Sequence, residues 1–124
     1  MALIATRKPI LGNLLKTEYA REHGFCRETV TVNVTGGADL SVGSVLAVDA
    51  GKYAPKGTAD VAAAIVLENK TVADGVDTSV SVLVRGPAIV AKQALVFDVA
   101  HNAGQTASAI AEIEALGIVV REQV

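Results

Sequence analysis

The chain has 124 residues, 51% hydrophobic, 3% aromatic and 19% charged, with a formal net charge of -2; that length fits one domain. A pI of about 5.6 with basic residues scattered singly apart from Arg7-Lys8 excludes a stripe of positive potential for phosphates, so no direct nucleic-acid partner is expected. The single Cys26 excludes an intrachain disulfide and fits a reducing compartment, and the longest apolar run, residues 61–67, is far short of the roughly 20 residues that cross a bilayer.

No signal-type segment opens the sequence, because Arg7, Lys8 and Pro9 precede any sustained apolar run; a soluble intracellular protein with no membrane association is expected. The mean hydropathy of +0.43 exceeds what an ordinary monomer of this size needs, and the surplus Val and Ala reads as interface.

Residues 1–24 show no clean period. Apolar beads in "ALIA" and "ILGNLL" alternate with "TRKP" and "KTEYAREHG", and Pro9 biases Lys8 away from helix. This segment is expected to be a flexible N-terminal arm that orders on a partner; the alternative is an edge strand lying across the domain. Residues 25–124 are expected to form one β-rich domain. Val30, Val32 and Val34 alternate with Thr and Asn, the period of a strand with two unlike faces. Gly36-Gly37 ends it.

A short loop with Gly43, a strand over residues 44–48, a turn at Asp49-Ala50-Gly51 and an extended piece stopped by Pro55 give hairpin-like connectivity. "DVAAAIVLEN" has the length and β-branched content of a buried strand, and "KTVADGVDT" reads as a polar loop around Gly75. Residues 79–84 form a further strand, central in its sheet, which Arg85-Gly86-Pro87 breaks at a sheet corner. "AIVAK" and "ALVFD" continue as extended pieces. In "QTASAIAEIEALG", Ala107, Ile110, Ile113 and Leu116 recur at three-residue spacing with Ala111 between them, predicting a helix capped by Thr106 or Ser108 and ended by Gly117. "IVVRE" is a last strand. The fold expected from the residues is mainly β, α+β at the margin, with short antiparallel strands and one C-terminal helix.

Chemistry-bearing residues form no recognised constellation. His23 and Cys26 point to opposite faces of an extended segment, with nothing placed to orient the imidazole. His101 lies far off in "HNAG", read as a loop, and gives no metal-ligand spacing. Glu112 and Glu114 diverge on a helix. No catalytic, cofactor-binding or metal-binding residue is assigned, and no enzyme is expected. "DLSVGSVLAVDAG" is reminiscent of the strand-and-turn grammar of biotinyl and lipoyl carrier domains, but Lys52 lacks the flanking residues such carriers show; a small carrier or ligand-binding module remains the alternative.

The order "CRETVTVNV", "ADLSVGSVLA", "GKYAP", "VAAAIVLEN", "SVLVRGPAIV", "AIAEIEALGIVVRE" resembles the lambda-type head decoration (capsid-stabilising) proteins of tailed bacteriophages, with "VLVRGPAIV" and "ALGIVVRE" the most specific pieces. The resemblance implies a β-tulip-like homotrimer bound to the major capsid protein at three-fold positions of the expanded head. The location implied is the capsid exterior of the virion, after assembly in the host cytoplasm. It also implies that the N-terminal arm pairs with a capsid subunit, which assigns Leu3, Ile4, Arg7, Lys8, Ile10, Leu14 and Leu15 to capsid contact; for Arg7 and Lys8 the alternative is a solvated basic pair. Arg85 and Pro87 are candidate interface residues; for Arg85 the alternative is an ordinary turn arginine.

Overall fold

The computed structural model describes residues 14–18, 26–49, 51–57, 60–97 and 101–121. In chain order the strands are β1 (Leu15–Glu18), β2 (Arg27–Val32), β3 (Ala38–Leu40), β4 (Val45–Asp49), β5 (Lys52–Pro55), β6 (Ala64–Val66), β7 (Lys70–Val72), β8 (Thr78–Leu83), β9 (Ala88–Ala91) and β10 (Ile118–Arg121). A 3-10 turn (Lys92–Ala94) follows β9, and helix α1 (Ala103–Ala115) precedes β10. The fold is mainly β.

β2, β5, β4, β6 and β8 close into a barrel. Its longest seam is the antiparallel pairing of β2 with β8, from Arg27↔Leu83 to Val32↔Thr78. β8 also pairs with β6, so it is flanked on both sides, the central position expected of it from the sequence. β4 and β5 form the hairpin, with Asp49 opposite Lys52 and Gly51 at φ 82°. The alternation within these strands serves two cores, because successive side chains leave opposite faces. Leu46, Ala64, Val66, Val80 and Val82 pack with Val32, Leu40 and Val72. Their neighbours Val45, Ile65 and Leu83 turn the other way and pack with Leu14, Cys26, Val90, Ile113 and Ile118. Strands buried on both faces read as unbroken Val, Ile and Leu, which accounts for much of the high hydropathy without any partner.

The second core is closed by a three-stranded sheet in the order β1-β9-β10 and by α1. After β8 the chain turns at Arg85-Gly86-Pro87 and leaves the barrel for this sheet, as the sequence predicts. Beside the antiparallel pairings expected from the sequence, β10 runs parallel to β9 from Ile118↔Ala88 to Arg121↔Ala91, and β2 meets β5 in parallel at Val32↔Tyr53. The crossover through α1 is what permits the first.

Two segments read as loops are strands: β3 and β7 pair antiparallel, Ala38↔Val72 to Leu40↔Lys70. The helix begins earlier than predicted. Asn102, not Thr106 or Ser108, is the N-cap, accepting from Gln105 N at 2.8 Å while Gln105 Oε1 accepts from Asn102 N at 2.9 Å. This capping box satisfies two donors that the helix start leaves open, and it places "HNAG" at the helix entrance. Ala109 and Ile113 are the fully buried residues of α1, while Ala107 and Ala111 of the predicted stripe are exposed. Gly117 ends the helix at φ 90°, as expected.

Candidate partner-binding surface

Of the residues assigned to capsid contact, Leu3, Ile4, Arg7, Lys8 and Ile10 lie outside the described residues, as does His23. Leu14 and Leu15 are found on the folded domain. Leu14 is fully buried within the second core, with Leu15 packed against it, and β1 pairs antiparallel with β9 through Leu15↔Val90, Thr17↔Ile89 and Glu18↔Ala88. Within the stretch read as an arm up to residue 24, residues 15–18 thus form a strand at the edge of the β1-β9-β10 sheet. The physical reason is apolar: a leucine excluded from water beside Val90 and Ile118 is worth more than one carried on an arm.

The end of β1 is fixed by charge. Both carboxylate oxygens of Glu18 accept from Arg27 Nε at 3.0 Å, and Arg27 Nη2 reaches Oε1 as well. The Glu18 side chain is 1% exposed. The hydrogen bond that Arg27 donates to Glu18 raises the Arg27 pKa above its usual value. Sequence reading missed this pair, since a Glu and an Arg nine positions apart and in different sheets carry no local signal.

Arg85 pairs with Glu28 across the β2–β8 seam, with both side chains partly exposed. Pro87 is exposed beside it, joined to Gly86 by a cis peptide bond, and its carbonyl accepts from Cys26 Sγ at 3.6 Å. Cys26 is a fully buried thiol within the second core. At the far end of the barrel, Asp77 Oδ1 accepts from Asn33 Nδ2 at 2.6 Å and from Lys52 Nζ at 3.1 Å. Lys52, at the hairpin end where a carrier domain would display its lysine, is thus tied to a neighbouring loop. Lys56 is buried, donating to the Gly57 carbonyl at 2.9 Å with its Nζ 3.1 Å from His101 Nε2. That contact ties the end of β5 to the residue before the helix cap.

The Asn33 hydrogen bond, with Lys52 second, holds the Asp77 carboxyl below its usual 3.8. A carboxyl depressed in the folded state adds stability above its unfolded value and loses it as pH falls through the folded one. In an NMR titration Asp77 is expected to have its midpoint below 3.8, and Asn33→Ala to raise that midpoint. An unshifted midpoint in the unaltered chain would remove the coupling.

Apolar contact area is present outside the cores. Val61 is 64% and Val48 47% exposed, and Val76, Val96 and Val119 are also exposed. Val48 and Val61 flank a groove of about 550 Å³ floored by Ala47, Ala54 and Ala63, with Lys52 and Asp60 at its rim. Among the described residues, no group of His, Cys, Asp and Glu is placed to hold a metal ion, and no helix is long and apolar enough to cross a membrane.

Exposed valines around a doubly packed barrel, with many polar side chains engaged in bonds between its own loops, define a small β protein that leaves apolar side chains on its surface. The family model for the bacteriophage lambda head decoration protein D matches residues 4–118. The chain belongs to that family, whose members are structural proteins of the phage head. No curated protein matches the sequence.

Proposed function

We propose that this protein is a trimeric cement of the phage head, bound to the major capsid protein at three-fold positions on the outside of the expanded shell. The observation that carries the reading is membership of the head decoration family across nearly the whole chain. On this reading the barrel with its appended sheet is of the β-tulip kind, and the trimer assembles in the host cytoplasm onto the maturing head.

A ring closed by three copies uses head-to-tail contacts, so each subunit covers two different patches; the exposed valines, with the corner formed by Arg85 and Pro87, supply candidate area. A trimer spanning a junction of capsid subunits stabilises whichever shell state displays its sites, by mass action. Three weak attachments made together hold far better than one. Residues 1–13 are the capsid-reaching segment. Leu3, Ile4 and Ile10 fill apolar pockets, Arg7 and Lys8 meet acidic shell surface, and the backbone adds to an exposed capsid strand.

The test is sedimentation with expanded, empty shells that lack their own decoration protein. Saturable binding in multiples of three, with a raised shell melting temperature, is the expected result. A chain that begins at Leu14 is expected to remain soluble and to lose most of that binding. No association with shells at any protein concentration would overturn the proposal.

A further inference from the structure

β1 is a short and vulnerable strand. It spans Leu15–Glu18, its register shifts between Leu15 and Thr17, and it lies at the edge of its sheet. So short a ladder offers few hydrogen bonds to resist a pull on the chain before it. The strand is nonetheless pinned at both ends: by Leu14, buried in the core, and by Glu18, whose carboxylate is sealed from solvent against Arg27. Arg27 opens β2, so the second pin joins β1 to the barrel and not to its own sheet. The Arg27 guanidinium fork grips both carboxylate oxygens, a geometry that fixes orientation as well as distance.

From this arrangement we infer that Glu18 and Arg27 are positioning residues for shell binding: their pair, with the Glu18 side chain buried, locks β1 to the barrel and so sets the place and direction of Leu14, the point to which the capsid-reaching residues 1–13 are joined. The inference rests on the arm reading above. Tension on the segment before Leu14 passes along β1 and through the ion pair into the β2–β8 seam, the longest pairing among the described residues. A lysine at position 27 keeps the charge but has no fork, and a glutamine at 18 keeps the shape but has no charge; both loosen the lock without emptying the space.

The experiment is a double-mutant cycle on full-length chains, read as affinity for undecorated expanded shells. One arm is Glu18→Gln, with Arg27→Lys as the milder second variant. The other is a chain with its apolar beads removed, Leu3→Ser, Ile4→Ser and Ile10→Ser together. Either lock variant is expected to bind shells about tenfold more weakly than the unaltered chain, and to add no further loss where the beads are already serine. Hydrogen exchange at the β1 amides is expected to quicken in both lock variants while β8 stays protected.

Equal loss in both backgrounds, or no loss in either, would overturn the inference, because a merely structural pair acts without regard to the arm. A serine chain that binds as tightly as the unaltered one would instead remove the arm reading, and this inference with it. Should Glu18→Gln unfold the domain, Arg27→Lys carries the cycle alone.

Discussion

Gly86→Ala is expected to be among the most damaging single substitutions in the molecule, lowering stability by about 4 kcal/mol in denaturant unfolding. A Cβ at position 86 would sit 1.7 Å from the Gly117 carbonyl oxygen and 2.3 Å from its carbon. Both are backbone atoms, so no side-chain rotation relieves the contact. Gly86 N also donates to the Leu116 carbonyl at 3.0 Å, so the two chain segments are held together where the methyl group would force them apart. Ala88 and Ile118 begin the parallel register of β9 with β10, and both are buried. Shifting Gly117 therefore misplaces the first core residue of β10 and the end of α1 together.

Gly51→Ala is the matched control. Gly51 has φ 82°, and a Cβ added there would meet nothing within 4 Å, so its substitution costs only the left-handed backbone, about 1–2 kcal/mol. Equal losses at the two positions would show that backbone freedom, not close approach, explains Gly86.

The same glycine shows which parts of the fold are legible in the sequence. "VLVRGPAIV" announces a broken strand, and β8, the corner and β9 follow it, because a period of two and a Gly-Pro break are local signals. β2, the β4–β5 hairpin and β10 are readable for the same reason, each being bounded by a glycine at positive φ or by a proline. β3 and β7 are not. Each is three residues long, too short to show a period, and what makes them strands is a partner about thirty positions away. The helix start is legible in principle, since Asn102 and Gln105 have capping-box spacing. Gly104 and the lack of large apolar residues in the first turn conceal it.

The candidate contact surface is legible only in part. Apolar surplus points to interfaces, yet much of it is absorbed by strands such as β6, buried on both faces. Val48 and Val61 are part of the remainder, and nothing in their local sequence separates them from core valines. The lock between Glu18 and Arg27, and the contact of Lys56 with His101, join residues whose neighbourhoods are set by the completed fold.

The division between domain and arm is open to a decisive comparison. Leu14→Ala removes a fully buried side chain from the core formed with Val90, Ile113 and Ile118, and is expected to cost about 3 kcal/mol through lost burial and the cavity left behind. Its unfolding midpoint in denaturant should fall accordingly, and the β1 amides should exchange faster, because β1 loses the apolar one of its two pins. Among molecules that remain folded, shell affinity should fall less than in Glu18→Gln, since Leu14 offers no surface to a partner and the Glu18–Arg27 pair still fixes β1 to the barrel. Ile10→Ala carries the opposite expectation: an unchanged unfolding midpoint and weaker sedimentation with shells. If Leu14→Ala left stability intact and weakened shell binding instead, Leu14 would belong to the arm, and the burial of its side chain would describe only the unbound protein.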